Sequence, residues 1–429
     1  MEKIVINGGK PLYGNIEVSG AKNAAVAVIF ACLLTKEKIT LENIPPILDV
    51  TVSLEILKSM GVKIKMLKRD VIEIDASEAN QGTSPDDLVR RMRASYYLIG
   101  AELGRFKKAS VGYPGGCDFG VRPIDQHIKA FSALGADVDI ANNRVEVVTK
   151  NGLKGANVFF DVVTVGATMN LIISSVLADG VTVIENAARE PHVVDLANFL
   201  NTCGANIKGA GTDTIKITGV PELHGCTYAI IPDMIEAGTY MIAAAASGGK
   251  VKISNVIPKH LDSISAKLTE MGVVVTEGDD YVTVCATDTL KKVNIKTLPY
   301  PGFPTDMQPQ MCVLLCLADG VSILNEGVWD NRFRYVEELK RMGANIKVDG
   351  KSAVVEGIGC LSCAKVRAVD LRAGAAMVIA GLATKGKTEI EDIQYIMRGY
   401  DNIVGKLSNI GADIKKVIIP DDVSYEAAN

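Results

Sequence analysis

The chain has no long run of basic residues and no apolar stretch of bilayer length. Its 429 residues include 46 Lys and Arg against 50 Asp and Glu, spread along the sequence, for a formal net charge of -4. Because nucleic-acid-binding proteins gather basic residues into a stripe or patch, this even distribution argues against a nucleic-acid partner. The apolar segments 24–34 and 311–318 are shorter than the ~20 residues of a membrane-spanning helix, so we expect no membrane partner.

Signals for export and for metal binding are also missing. The N-terminus, residues 1–9, has neither a basic segment nor an apolar segment typical of a signal peptide, which predicts a cytoplasmic protein. Nine cysteines, an odd number, then indicate reduced thiols rather than a disulfide framework. The four histidines show no ligand spacing, and the pair Cys360 and Cys363 has no second CxxC to complete a zinc site, so we expect no metal.

One cysteine has unusual neighbours. Cys117 lies in a glycine-rich loop, Tyr113-Pro114-Gly115-Gly116-Cys117-Asp118-Phe119-Gly120-Val121-Arg122-Pro123. Adjacent glycines allow close approach to a ligand, and Arg122 offers a bidentate donor for phosphate or carboxylate. A buried, inert thiol is the alternative interpretation, but the loop favours a reacting group, since thiol reactivity depends on its surroundings.

A short signature recurs six times after amphipathic segments. Its glycines are Gly61, Gly135, Gly204, Gly272, Gly343 and Gly411, at successive intervals of 74, 69, 68, 71 and 68. Apolar, small-residue-rich helices are predicted near Lys22, Arg93, Gly166, Gly238, Asp306 and Arg372, at intervals of 71, 73, 72, 68 and 66. The agreement of the two series predicts a repeated unit of buried helix, strand, outer helix and further strands.

Six such units indicate an α/β protein with packed layers. Three units per half place a division near residue 230 and predict two similar domains. An open six-unit solenoid is the alternative, and it is disfavoured because the terminal units lack a polar capping face. Charged residues at the starts of apolar helices are expected to meet water, each other or an anionic ligand. The alternative interpretation is that each arginine forms a structural salt bridge.

Several segments together resemble the enolpyruvyl transferases, in particular the UDP-N-acetylglucosamine 1-carboxyvinyltransferase family. They are Gly20-Ala21-Lys22-Asn23-Ala24-Ala25, Met92-Arg93-Ala94-Ser95, Pro114-Gly115-Gly116-Cys117, Phe303-Pro304-Thr305-Asp306-Met307-Gln308, Asn331-Arg332-Phe333, Asp370-Leu371-Arg372-Ala373 and Arg398-Gly399-Tyr400. The resemblance spans the whole chain. It implies a two-domain inside-out α/β barrel of six βαβαββ-type units, with residues 1–20 joining the C-terminal half, so that the domains are residues 21–229 and residues 1–20 plus 230–429. It also implies the substrates phosphoenolpyruvate and UDP-N-acetylglucosamine, and no cofactor.

The resemblance also implies residue roles. Cys117 is expected to act as general acid at the phosphoenolpyruvate methylene and to form a covalent adduct, while Asp306 accepts the proton of the sugar hydroxyl. Expected contacts to phosphoenolpyruvate are Lys22, Asn23, Arg122 and Arg398, with Arg332 and Arg372 completing the clamp. Expected contacts to the sugar nucleotide are Arg93, Arg122, Pro123, Ile124, Asp125, Gln126, Thr164, Val165, Gly166 and Val328.

Alternatives stay open at this point. Asp306 is also placed to be a helix N-cap, and His127 either tunes Cys117 or is an exposed helical residue. A shikimate-pathway enolpyruvyl transferase and a catalytically silent sugar-nucleotide-binding paralogue are the rival functions. Leu48, Val162 and Met234 replace basic residues found in some members, which leaves open whether the chain is a main enzyme or a second paralogue.

Overall fold

The computed structural model describes residues 2–80, 86–112 and 124–418. Its α-helices are α1 Lys22–Ala31, α2 Leu48–Ser59, α3 Asp86–Arg91, α4 Tyr97–Phe106, α5 Asp125–Ala133, α6 Val165–Ser175, α7 Pro191–Thr202, α8 Met234–Ser247, α9 Asp262–Glu270, α10 Gln308–Leu317, α11 Val336–Arg341, α12 Leu371–Ala383 and α13 Ile403–Asn409. Its strands are β1 Glu2–Gly8, β2 Tyr13–Glu17, β3 Ile39–Glu42, β4 Lys63–Lys68, β5 Val71–Asp75, β6 Lys108–Gly112, β7 Asp137–Ala141, β8 Arg144–Val148, β9 Asn157–Phe159, β10 Val181–Glu185, β11 Asn206–Lys208, β12 Thr214–Thr218, β13 Thr227–Ala229, β14 Lys250–Ser254, β15 Val274–Glu277, β16 Tyr281–Cys285, β17 Ile295–Lys296, β18 Val321–Asn325, β19 Asn345–Asp349, β20 Ser352–Glu356, β21 Lys365–Arg367, β22 Gly386–Glu391 and β23 Ile414–Ile418.

The described chain divides into two compact units. One, here the N-terminal unit, comprises Ser19–Asp233 with Pro299–Gly302, and the other, the C-terminal unit, comprises residues 2–18, 234–298 and 303–418. The expected domain bounds place the breaks after residues 20 and 229, whereas contacts place them after residues 18 and 233. No helix in the described ranges has the length and apolar character needed to span a membrane.

The described strands form six sheets, three in each unit, as six repeats predict. In the N-terminal unit the strand orders are β13-β3-β5-β4, β6-β8-β7 and β9-β10-β12-β11. In the C-terminal unit they are β2-β14-β16-β15, β17-β18-β20-β19 and β21-β22-β1-β23. Each four-stranded sheet joins one parallel pair to antiparallel neighbours, and β1 pairs antiparallel with both β22 and β23.

Helices without a polar face lie inside each unit, and the sheets lie around them. In the N-terminal unit α4 packs on both α1 and α6, and in the C-terminal unit α8, α10 and α12 pack on one another. Every residue of α12 from Leu371 to Leu382 is buried, because its Ala, Gly, Met, Val and Ile side chains leave no face that favours water. The predicted α/β class of packed layers is therefore confirmed. Helix α8 begins at Met234, about one turn before the predicted start near Gly238.

The six signature glycines end the six outer helices. Gly61, Gly135, Gly204, Gly272, Gly343 and Gly411 all have positive φ, between 85° and 101°. Each follows the C-cap residue of its helix, where the left-handed conformation is accessible to glycine without a Cβ clash. The regular spacing in the sequence is thus the spacing of the turns that lead from outer helix to hairpin.

A buried carboxyl group joins α4 to the sheet beside it. Glu102 on α4 is fully buried, and its Oε2 accepts a hydrogen bond from Ser110 N on β6 at 3.1 Å. Arg144 on β8 binds the same serine, through Nε to Oγ at 3.1 Å and Nη2 to the carbonyl at 2.6 Å. Burial raises the pKa of Glu102 to about 8, although the Ser110 hydrogen bond and the Arg144 charge oppose this rise.

We expect Glu102 to make stability depend on pH. Its pKa is higher in the folded chain, about 8 against 4.5 for an ordinary glutamate, so the folded state binds the proton more tightly. The unfolding free energy therefore falls as pH rises from 4.5 to 8, by at most about 1.4 kcal/mol for each unit of the pKa difference. Below and above this range the Glu102 contribution does not change with pH. Glu102→Gln lacks this titration, so its stability relative to the native chain should increase from pH 4.5 to 8.

Thermal and urea unfolding of both proteins across this pH range measure the difference. Glu55→Gln, at an exposed position on α2, controls for the exchange of a carboxyl for an amide. Parallel pH profiles for the native chain and Glu102→Gln would contradict proton binding at this site.

Candidate functional site

In the C-terminal unit, two buried arginines bind one carboxylate. Arg332 Nη2 lies 3.2 Å from Asp306 Oδ1, and Arg372 Nε and Nη2 both lie 3.1 Å from Oδ2. The arginine side chains are 2% and 4% exposed, whereas that of Asp306 is 29% exposed. Charge-assisted hydrogen bonds to both oxygens fix the orientation of the carboxylate. The Asp306 carboxylate is therefore partly open to solvent and held in one orientation by two buried positive charges.

The local sequence explains this position. Asp306 lies in a 3-10 turn, Thr305–Met307, which leads into α10. The N-caps of the turn and of the helix are Pro304 and Met307, and neither makes a side-chain capping bond. The N-cap interpretation of Asp306 is thus wrong, and its carboxylate binds the arginines instead.

Glu326 connects the turn that carries Asp306 to Val328, a predicted contact of the sugar nucleotide. Its buried carboxylate accepts hydrogen bonds from Thr305 Oγ1 at 3.0 Å, from Val328 N at 2.9 Å and from Trp329 N at 3.1 Å. One side chain therefore fixes both the residue before Asp306 and the backbone of Val328. Because three donors satisfy this buried carboxylate, it holds Thr305 and the backbone of Val328 in place.

The start of α12 is fixed in a similar way. Asp370 is the N-cap of α12, and its Oδ1 accepts from Arg372 N at 2.8 Å and Ala373 N at 2.9 Å. The cap sets the direction in which the Arg372 side chain leaves the helix. Arg398 ends the 3-10 turn Ile393–Arg398, and the Arg372 guanidinium lies 5.5 Å from the centre of the Tyr400 ring.

In the N-terminal unit, two acidic residues hold Lys22 at the start of α1. Lys22 Nζ pairs with Asp49 Oδ2 at 2.8 Å, and Lys22 N donates to Asp233 Oδ2 at 3.1 Å. Asp49 is 2% exposed and lies in the first turn of α2. Since an ammonium group has three donors, the pair with Asp49 orients Lys22 and leaves it capacity for a further acceptor. Asn23 follows on α1 and is partly buried.

Five of the residues predicted to contact the nucleotide, namely Asp125, Gln126, Thr164, Val165 and Gly166, lie at the starts of α5 and α6. Gln126 Nε2 donates to Asp125 Oδ2 at 2.8 Å and to Asp161 Oδ2 at 3.0 Å, while its Oε1 accepts from Asp161 N at 3.1 Å. Gln126 therefore ties α5 to the segment before α6. Thr164 is the N-cap of α6, with its side chain accepting from Ala167 N. The turn at Thr164, Val165 and Gly166 is thereby fixed.

His127 is buried rather than exposed. It is 8% exposed, its Nδ1 lies 3.0 Å from Asn170 Nδ2 on α6, and its ring packs edge-on against Tyr96. Because an amide nitrogen only donates, Nδ1 is the acceptor in this contact. A Cβ at Gly166 would lie 3.1 Å from His127 Nε2, so the ring faces the start of α6. The exposed-histidine interpretation is therefore wrong.

Some predicted site residues lie outside the described part. Cys117, Arg122 and Pro123 fall in 113–123, and the side chain of Arg93 is likewise not described, although its backbone begins the turn Arg93–Tyr96 before α4. Ile124 is the N-cap residue of α5. Within the described ranges, no group of three or more His, Cys, Asp or Glu side chains is arranged to hold a metal ion.

The sequence interpretation missed five acidic residues that hold the side chains or the backbone of the predicted site residues. They are Asp49, Asp161, Asp233, Glu326 and Asp370. Only Asp370 had a local signal, since Asp before an apolar helix is a favourable N-cap. The others pair with residues 21 to 211 positions away or hold neighbouring backbone, and no spacing rule reveals such partners.

Comparison with known proteins adds to this geometry. The family model described as EPSP synthase (3-phosphoshikimate 1-carboxyvinyltransferase) matches residues 6–407. UDP-N-acetylglucosamine 1-carboxyvinyltransferase 3 of Caldanaerobacter subterraneus is 57% identical over 417 residues, covering 97% of this chain and 100% of the relative. UDP-N-acetylglucosamine 1-carboxyvinyltransferase 2 of Geobacillus kaustophilus is 51% identical over 429 residues, covering 100% of both chains.

Solved structures show the same architecture. The enolpyruvyl transferase NikO from Streptomyces tendae superposes with a TM-score of 0.86 at 27% identity, over 98% of this chain and 99% of that one. EPSP synthase from Acinetobacter baumannii, at 18% identity and a TM-score of 0.76 over 97% of this chain and 100% of that one, shares the fold. The match of the family model and the high identity over nearly the full length confirm the resemblance found in the motifs, and this chain belongs to the enolpyruvyl transferase family.

Proposed function

We propose that this chain transfers the enolpyruvyl group of phosphoenolpyruvate to the 3′-hydroxyl of UDP-N-acetylglucosamine and releases phosphate. The observation that carries the proposal is the carboxylate of Asp306, partly exposed and held by two buried arginines. The names of relatives at 51–57% identity support the choice of acceptor. The reaction would supply peptidoglycan precursors in the cytoplasm and so serve cell-wall growth, cell shape and division.

The chemistry requires an acid, a base and anion clamps. In the addition step, the methylene carbon of phosphoenolpyruvate gains a proton, and the sugar hydroxyl oxygen loses its proton and bonds to the carbon that carries the phosphate. The tetrahedral intermediate then loses phosphate and a proton from the new methyl group, which restores the carbon–carbon double bond of the enolpyruvyl group. We assign the first proton to Cys117 as general acid and the hydroxyl proton to Asp306 as general base.

Arg332 and Arg372 have two functions in this proposal. Their bonds to Asp306 hold the carboxylate in one orientation, which a base needs in order to reach a hydroxyl proton. Their positive charge also favours the anionic substrate and the charge that develops during addition. Glu326 supports the same geometry through Thr305.

Lys22 is the corresponding cation of the N-terminal unit. Its ammonium is fixed by Asp49 at 2.8 Å, at the start of an apolar helix whose N-H groups also favour anions. We propose that Lys22 and Asn23 contact phosphoenolpyruvate, together with Arg122 and Arg398. Arg93, the run from Pro123 to Gln126, the turn from Thr164 to Gly166 and Val328 are proposed contacts of the sugar nucleotide.

Phosphate release measures the activity and identifies the acceptor. Phosphoenolpyruvate with UDP-N-acetylglucosamine should release phosphate, whereas phosphoenolpyruvate with shikimate 3-phosphate should not. Release with shikimate 3-phosphate alone would favour the shikimate-type reaction. No release with either acceptor would contradict catalysis and leave a sugar-nucleotide-binding paralogue, which binding of UDP-N-acetylglucosamine by calorimetry would detect.

Replacing the proposed base tests its role directly. Asp306→Asn keeps the shape and one acceptor oxygen but removes the basic carboxylate, so kcat should fall by about 10²–10⁴ while the KM values change little. Asp413→Asn is the matched control, because Asp413 in the same unit is exposed and pairs with Lys10 at the surface. Asp306→Asn with kcat within about threefold of the native value would exclude a general base at this position.

Cys117→Asp distinguishes proton donation from covalent chemistry. A carboxyl group can still donate a proton, so measurable turnover should remain, but it is not alkylated by the thiol-directed epoxide fosfomycin. Cys360→Ser, which removes an exposed cysteine, should remain sensitive and serves as control. Equal inhibition of the native and Cys117→Asp proteins would place the target thiol elsewhere.

A further inference from the structure

Two cysteines of the N-terminal unit have their sulfur atoms in contact. Cys203 Sγ and Cys226 Sγ are 3.4 Å apart, and both residues are free thiols. A disulfide bond is about 2.05 Å long, so closing the gap needs a shift of about 0.7 Å by each sulfur if the movement is shared. The backbone is already held together here, because His224 N donates to Cys203 O at 2.9 Å.

The two thiols differ in their access to solvent. Cys203, the C-cap residue of α7, is 1% exposed, whereas Cys226, just before β13, is partly exposed. Cys226 lines an open surface concavity of about 620 Å³, together with Lys36, Lys38, Thr40 and Gly225. A small solute can therefore reach Cys226 from this concavity, whereas Cys203 is buried and does not line it.

The pKa values of the two thiols also favour Cys226 as the reactive one. The hydrogen bond between the sulfurs lowers the pKa of Cys226, burial opposes this, and the charge of His224 adds to the lowering. The same hydrogen bond and burial raise the pKa of Cys203. The lowered pKa thus belongs to Cys226, the sulfur that solvent reaches, and a thiolate is the form that reacts with oxidants.

We propose that Cys226 and Cys203 form a peroxide-reactive modification site, with Cys226 as the attacked thiol and Cys203 as its resolving partner. The Cys226 thiolate attacks one oxygen of hydrogen peroxide, the O–O bond breaks, and the departing hydroxide takes a proton to become water. Cys203 sulfur then attacks the sulfenic sulfur, the S–O bond breaks, and hydroxide leaves as water with the Cys203 proton. Two thiols are oxidised by two electrons and one peroxide is reduced to two waters.

The site has no part in the proposed transfer reaction, yet it lies on the chain that supports Lys22. Strand β13 follows Cys226 directly, and the chain after it reaches Asp233, which accepts from Lys22 N. A disulfide would fasten the end of α7 to the start of this strand. The nearby Cys32 is fully buried and its Sγ donates to Val28 O, so it offers no competing reactive thiol.

Peptide mapping of the full-length protein tests the proposal without relying on activity. The protein is treated with a few equivalents of hydrogen peroxide, remaining thiols are blocked with N-ethylmaleimide, and tryptic peptides are analysed without reduction. Lys208 and Lys216 lie between the two cysteines, so trypsin separates them unless a disulfide joins them. We expect a Cys203–Cys226 cross-linked peptide pair, 2 Da lighter than the sum of its parts, that disappears on reduction.

Two variants identify the order of the steps. Cys203→Ser should accumulate a sulfenic acid at Cys226 that dimedone traps, and Cys226→Ser should leave Cys203 unmodified. Cys360→Ser, at an exposed cysteine outside the pair, should form the cross-link at the native rate. Absence of the cross-link in the native protein, or oxidation of Cys203 at an unchanged rate in Cys226→Ser, would overturn the proposal.

Discussion

Each unit depends on the enclosure of three helices that have no polar face. Helices such as α12 are stable in water only when apolar atoms cover them on every side, and the outer helices and sheets of the unit provide that cover. Enclosure fixes where the inner helices can begin and end. The charged residues at those starts, Lys22, Asp306 and Arg372, must then reach solvent or a partner from the ends of the helices, since the interior offers neither.

Carboxylates solve this problem in both units, Asp49 and Glu326 from buried positions and Asp306 from a partly exposed one. Asp49 holds Lys22, Asp306 holds Arg332 and Arg372, and Glu326 holds the turn that carries Asp306. These contacts satisfy groups that would otherwise be expensive to bury, and they also limit each basic side chain to one orientation. Pre-organised charge of this kind stabilises an anionic substrate without reorganisation during the reaction.

The same packing leaves two chemically sensitive groups beside the sheets of the N-terminal unit. Glu102 is buried on α4 with a raised pKa, and the Cys203 and Cys226 sulfurs touch between the end of α7 and the start of β13. Neither is part of the proposed transfer chemistry. Both arise because an outer sheet meets a helix through polar contacts at its edge, where burial changes proton affinity and limits the access of solvent.

The sequence by itself determined the α/β class, the six repeats, the turn glycines and the family. These properties repeat along the chain or lie in short segments: six glycines at intervals of 68 to 74 residues mark helix ends, and motifs such as Phe303 to Gln308 are contiguous. Only the tertiary structure decided which acidic residue holds which basic one, that His127 is buried, and that Cys203 meets Cys226. Such contacts join residues from separate elements, as Asp233 and Lys22 do across 211 positions, and depend on how helices and sheets pack.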